Sequence, residues 1–375
     1  MAASRLERLR GYLEADPHNL ALIEDAATAA LDESALEVAA DLIARYRALA
    51  ALPPGLVNAE GMVAMRSGDY ATARAAFVSL RDAGHDHPVV RFNLAWLSAL
   101  EGRFADIPEL VDDAVIGGVP RAAALKVQAM HHLGDVDGAV ELGRRLVERL
   151  PHDDALLGAL SVAAMDVDDL ALAAEMAGRA GGGADALTTR GLFALDGGEP
   201  RQALELFDRA LVEHPHAPRA WLGKGLGLLA MGDADAAAPC LEEGARIFDD
   251  HLGSWIAAGW AQFIRRDLAA ARRDFERAMT HDENFAETHG ALAVLDLAEG
   301  KFDSARRRSE VALKLDRTCF GGALARALLL ETEGRPALAE RVRRRALELP
   351  VGVEGKTLLQ TISGIAGARS GGRLN

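Results

Sequence analysis

A step of thirty-four residues runs through this chain and limits what it can fold into. Trp221 and Trp255 are one step apart, and the same step reaches back to Leu187 and forward to His289. Eleven residues after these positions a glycine recurs, at Gly198, Gly232, Gly300 and Gly334, and earlier relatives of it stand at Gly68, Gly102 and Gly134. A period of this length marks a stacked array, in which each unit is one supersecondary element that buries its apolar face only against its neighbours.

The chemistry within each unit points to a helix, a tight turn and a second helix. Acidic residues follow several of the glycines, as in Gly68-Asp69, Gly134-Asp135 and Gly232-Asp233. Glycine ends a helix in the left-handed conformation, and aspartate caps the next. The second half of each unit pairs an alanine with a larger apolar residue four places later: Ala73/Phe77, Ala203/Phe207, Ala237/Leu241 and Ala271/Phe275. The small residue lets two helices approach, and the larger one fills the space beside it. Pro151 and Pro215 fall near unit ends, where a helix must stop.

Trp, Gly, Ala, Phe and Pro at these spacings resemble the tetratricopeptide repeat. The resemblance is clearest over residues 184–319, fair over 54–183 and 320–349, and weak over 17–50. It implies an all-α, right-handed superhelical solenoid of about ten helical hairpins. Residues 1–53 are expected to form N-terminal capping helices and a weak first repeat. Repeats then run over 54–183 and, with the best match, over 184–353, and residues 354–375 form a C-terminal capping helix, around Val353–Ala368, and a tail. Three features depart from the pattern: Pro53-Pro54-Gly55, the shortened unit at Gly181-Gly182-Gly183, and Arg266 in place of the turn glycine.

Composition narrows the function classes. Half of the 375 residues are hydrophobic but only 5% are aromatic, and abundant alanine favours helix over strand. The net charge of −14 argues against a general nucleic-acid binder. That charge is uneven, with −18 in the first 260 residues and +4 in the remainder. Cys240 and Cys319 have no metal-type spacing and read as buried residues in a reducing compartment. No signal peptide and no apolar span for membrane insertion is read, so a soluble cytoplasmic protein is expected.

In the resembled family the first helix of each hairpin lines a concave groove. Carried over by position, that rule selects Phe92, Asn93 and Trp96, then Leu222, Leu226 and Leu229. It goes on to Ile256, Trp260, Phe263 and Ile264, and to Val294 and Leu297. Trp255 and Trp260 lie five residues apart, so on a helix they point about 140° from each other. They cannot share one packing face, and the resemblance implies that Trp255 packs between hairpins while Trp260 projects into the groove. Contiguous apolar surface of this kind marks a binding site. The expected partner is an apolar or amphipathic segment of a protein or peptide, held by a non-enzymatic adaptor or assembly scaffold. A chaperone for a secreted or assembling subunit, and a self-associating scaffold or homo-oligomer, are the alternatives. The two-carboxylate clamp of the family is not expected: Asn93 and Arg121 fit it, but Asn58, Met62 and Leu125 occupy its other positions.

Other motifs have plainer explanations. Gly355-Lys356-Thr357 lacks the P-loop glycine five residues earlier, where Pro350 stands. Gly223, Gly225 and Gly227 fall inside a repeat helix and serve close packing. His85/His87 and His214/His216 have no third ligand, whereas His131-His132 reach the groove and could make recognition pH-sensitive. Arg306-Arg-Arg308 and the arginines from Arg341 to Arg345 are read as a solvated outward face balanced by Glu310, Glu340 and Glu348. No cofactor, metal, small-molecule substrate or catalytic arrangement is expected, and Asp112-Asp113 and Asp168-Asp169 are read as caps at turns.

Overall fold

Left-handed backbone recurs with the sequence period. Gly68, Gly102, Gly134, Gly198, Gly232, Gly300 and Gly334 have φ between 72° and 86°, each at the end of a first helix. Ser34, Asp168 and Arg266 occupy the same turn position with φ of 60°, 59° and 66°. Arg266 therefore keeps the turn that its side chain disfavours, and Ser34 makes the turn of a complete first hairpin where the sequence match is weak. An L-residue in this region costs about 1–2 kcal/mol, which packing on either side of the turn must offset. The aspartates that follow act as caps. Asp69 accepts from Thr72 N at 3.1 Å, Asp135 from Gly138 N at 3.1 Å and Asp233 from Ala236 N at 3.0 Å.

The computed structural model describes residues 4–347, with side chains through Arg345. Every regular element among the described residues is helical, and these elements fall in two compact units that part between Val167 and Asp168. The expected C-terminal cap and tail, and Gly355-Lys356-Thr357, lie outside the described residues.

The first unit opens with helix Arg5–Ala15, started by a capping box between Ser4 and Glu7. Hairpins Leu20–Asp32/Leu36–Leu49 and Pro54–Arg66/Tyr70–Asp82 follow. Helix Pro88–Leu100 is then paired with a broken second half: a 3-10 turn Phe104–Asp106 and short helices Ile107–Leu110 and Asp113–Gly118. The sequence reading expects no break there. Pro108 supplies no N–H to continue the ladder, Asp112 starts a new helix by accepting from Val115 N at 2.9 Å, and Lys126 Nζ covers the Val111 carbonyl at 2.6 Å. Hairpin Ala122–His132/Val136–Arg149 and helix Asp154–Asp166 complete the unit.

The second unit begins with helix Leu170–Arg179 and stacks five hairpins: Ala184–Asp196/Pro200–Glu213, Pro218–Met231/Ala234–Phe248, Leu252–Ile264/Leu268–His281, Ala286–Ala298/Phe302–Leu315 and Phe320–Thr332/Pro336–Leu347. Phe77, Phe207 and Phe275, from the small–large pairs, are fully buried. Their rings fill space that a glycine leaves open. A Cβ on Gly259 would lie 2.3 Å from the Phe275 ring, and one on Gly191 2.6 Å from that of Phe207. Gly223 and Gly225 similarly accommodate Phe207 and Leu241, the packing role expected of them.

Ion pairs tie three of the hairpins to the next at a fixed offset. Arg74 pairs with Glu101, Arg272 with Glu299 at 2.7 Å, and Arg306 with Glu333 at 2.7 Å. Each arginine is on a second helix, and each glutamate stands just before the next turn glycine. Asp296 deepens one of these links. It is 2% exposed and takes Arg272 at 2.6 Å, Arg308 at 3.2 Å and the Ser304 hydroxyl at 2.6 Å. Burial opposes the Arg272 charge, but hydrogen bonds to Glu299 and Asp296 outweigh it and hold the guanidinium above its ordinary range. The Arg306–Arg308 run is thus not simply a solvated face: Arg306 ties its hairpin to the next, and Arg308 ties together the two helices of its own hairpin.

Candidate functional site

The candidate site rests on the first helices, and each unit presents its own portion. In the second unit the selected residues fall on three consecutive first helices. Leu226 and Ile264 are 43% and 58% exposed, and Leu222, Leu229, Trp260, Phe263 and Leu297 are half-buried. Ile256 and Val294 are buried at 8% and 4%, so they belong to the core and do not line an open face. Their helices carry enough small residues to sink a branched side chain into the interface with the next hairpin; position alone cannot reveal this.

The two tryptophans divide as their angular separation requires. Trp255 is buried, its indole N–H donates to the Asp249 carbonyl at 2.6 Å, and Arg277 lies over its ring at 5.9 Å. Asp249 itself is forced to φ 53° to make that junction. Trp260 is half-buried. Its ring meets Phe275 and Phe263 edge-to-face at 5.5 and 5.6 Å, and it packs on the cluster of Ala293, Val294 and Ala325 from the following hairpins. One side of the indole is therefore core and the other is open. Such aromatic contacts contribute about 0.5–1.5 kcal/mol beyond area burial and fix the ring's orientation.

In the first unit Trp96 is 43% exposed and Phe92 half-buried, with ring centroids 6.1 Å apart. Asn93 is buried, and its amide donates to Asn58 Oδ1 at 3.0 Å, joining two successive first helices. Asn93 thus serves the stack and is not a free recognition group. His131 likewise meets Asp166 of the next first helix at 2.6 Å, while His132 stacks on Phe104 at 4.1 Å. These links across about one repeat were missed in the sequence; their only signal is polar residues a step apart on first helices.

Other arrangements offer less. An open depression of about 480 Å³ in the first unit is lined by Arg47, Val57, Glu60 and Thr72, but Arg47 already takes the Glu60 carboxylate at 2.5 and 2.6 Å. No group of three or more metal-ligating side chains is found among the described residues. Cys240 and Cys319 are buried free thiols, and burial pushes the Cys319 thiol up to about 12. No helix among the described residues is long and apolar enough to cross a membrane.

Comparison with known proteins agrees with the repeat geometry. A tetratricopeptide-repeat family profile matches residues 58–118 and 188–228. Tetratricopeptide repeat protein 8 of Caenorhabditis elegans is 30% identical over 112 residues, which is 29% of this chain. The chain spans 22% of the length of that curated relative. Among solved structures, the APC/C hetero-tetramer Cut9-Hcn1 superposes with TM-score 0.57 and 11% identity, over 96% of this chain and 80% of that one. That likeness is one of fold. With its thirty-four-residue period, recurrent left-handed turns and buried alanine–phenylalanine pairs, the chain carries tetratricopeptide-type repeats, matched by the family profile over residues 58–118 and 188–228.

Proposed function

We propose that this protein is a non-enzymatic adaptor or assembly scaffold whose second unit holds an apolar or amphipathic segment of a protein partner against its first-helix face. One observation carries the reading: the apolar residues Leu226, Trp260, Phe263, Ile264 and Leu297, on consecutive first helices, are exposed or half-buried. Exposed apolar surface of this kind is costly in water unless something covers it. Trp260 and Phe263 would act as anchors, because Phe275 orients the Trp260 ring, Trp260 orients the Phe263 ring, and little side-chain freedom is lost on binding. Trp96 and Phe92 form a smaller aromatic contact point on the first unit. The buried free thiols suit a reducing compartment such as the cytoplasm.

A photo-crosslinking side chain placed at position 264 tests this directly. It should capture a defined polypeptide, and the double variant Leu226→Asp/Ile264→Asp should release that polypeptide without changing the thermal melt, since both side chains already face solvent. Undiminished capture of the same polypeptide by a copy carrying L226D and a charged residue beside the crosslinker would refute the site. Concentration-dependent mass in light scattering, abolished by the same substitutions, would replace the foreign partner with a second copy.

A further inference from the structure

The first helix of the last hairpin adds a residue that the repeat positions did not select. Leu324, on helix Phe320–Thr332, is half-buried and packs with Trp260, Phe263 and Leu297 on one small cluster, Ala293, Val294 and Ala325. These side chains come from three successive first helices and form one apolar patch without a charge. Helices Ala286–Ala298 and Phe320–Thr332 meet almost backbone to backbone, since a Cβ on Gly290 would lie 2.4 Å from Gly322 N. Apolar surface on an open face costs free energy in water until something covers it.

The chain carries a matching segment close at hand. Residues 348–375 follow Leu347, where the described residues end. Among them Leu358, Leu359, Ile362, Ile365 and Ala366 recur at the spacing of one helix face. No charged residue falls between Thr357 and Ala368, so laying this stretch on the patch buries no charge. Gly364 and Gly367 disfavour helix in water, so a helix there draws its stability from a surface. The turn at Gly334 folds helix Pro336–Leu347 back along Phe320–Thr332, which puts Leu347 at the end where that helix starts. Leu324 is about one turn, roughly 6 Å, from that start. The stretch from Leu347 to Leu358 reaches up to about 36 Å, well beyond two helix-packing distances of about 10 Å each. A link of that length holds the segment at an effective concentration in the millimolar range.

We propose that residues 357–368 fold back as an amphipathic helix on the patch of Trp260, Phe263, Leu297 and Leu324, so that the chain covers its own binding face until a partner displaces the segment. The displacement step rests on the function proposed for this face; the self-contact does not. A helix seated there matches apolar surface with apolar surface, and the tether makes the contact intramolecular, so it forms without the entropy loss of joining two molecules. The partner then binds in competition with the segment, and its apparent affinity falls by the fraction of chains whose face is open.

The test uses the purified full chain with a photo-crosslinking side chain at position 264, one turn from Trp260 and 58% exposed. Irradiation should give a product of monomer mass whose joined peptide, identified by mass spectrometry, lies within residues 357–368. The double variant Ile362→Asp/Ile365→Asp should abolish that product with the repeats still folded by circular dichroism. A fluorescein-labelled peptide of residues 353–370, added in trans and read by anisotropy, should bind the I362D/I365D chain at least about tenfold more tightly than the parent, whose own segment competes. Absence of the intramolecular product, or equal peptide binding by parent and variant, overturns the self-contact. A product of twice the monomer mass places the segment on a second copy and overturns it as well. Capture of a foreign polypeptide at position 264 without the intramolecular product defeats this proposal alone. The intramolecular product without any such capture defeats the proposed function and leaves the self-contact standing.

Discussion

Substituting Asp296 with alanine tests how the repeats are joined. Asp296 is 2% exposed and accepts from Arg272, Arg308 and Ser304, which come from the second helices on either side of it. Removing one member of a buried ion pair costs about 3–5 kcal/mol, because a charge is left without its counterpart. Two features of this site reduce that figure. Glu299 remains on Arg272 at 2.7 Å, and Arg308 is 31% exposed and regains water. The expected loss is therefore about 2–3 kcal/mol, or a drop in melting temperature of roughly 4–12 °C for a cooperative unit of this size. Urea unfolding followed by circular dichroism at 222 nm reads it as a lower midpoint for the transition of the second unit. Replacing the whole cluster, as Arg272→Met/Asp296→Leu/Arg308→Met, should recover most of the loss, since no buried charge then remains unpaired. A D296A variant that loses less than about 0.5 kcal/mol would show that water already screens the cluster, and the reasoning would fail.

Three further outcomes follow from the same physics. Asp274 is 6% exposed with one carboxylate oxygen lacking a partner, and burial, then the nearby Glu242, push its carboxyl up to about 7. The folded state thus holds an extra proton between about pH 4 and 7, so stability falls as pH rises through that window and stays low above it; D274N should flatten the decline and gain on the order of 2 kcal/mol at pH 8, with no gain below pH 4. Arg266→Gly should raise stability by about 0.5–1 kcal/mol, the left-handed strain relieved less the added freedom of the unfolded chain, and a lower unfolding midpoint would contradict the turn assignment. Gly259→Ala places a methyl 2.3 Å from the Phe275 ring and should cost about 1–3 kcal/mol in chemical denaturation, whereas a neutral result would mean that the ring moves aside freely.

The repeat fold was legible because its signals are local and recur. A glycine with positive φ, an aspartate one residue on, and an alanine four residues before a ring each act within a few residues, and the period multiplies the evidence. Where one signal was missing, as at Ser34 and Arg266, the reading weakened although the turn persisted, because packing across the hairpin sets that backbone and the residue type only modulates its strain. The break at Pro108 was overlooked for the converse reason: one local signal was outweighed by the surrounding period.

The binding face was readable only in outline. Periodicity placed Trp260, Phe263 and Ile264 on one helix and Leu226 and Leu297 on its neighbours, but burial depth depends on what the next hairpin puts against each side chain. Hence Ile256 and Val294 sank beneath the surface, and Asn93 and His131 were taken up by Asn58 and Asp166 about one repeat away. The sequence by itself determined the unit, its turn and its caps, because those depend on backbone chemistry within one hairpin. Only the tertiary structure decided which polar groups pair across the stack and which apolar ones stay open, because those outcomes depend on the spacing and tilt of neighbouring helices, which no single repeat encodes.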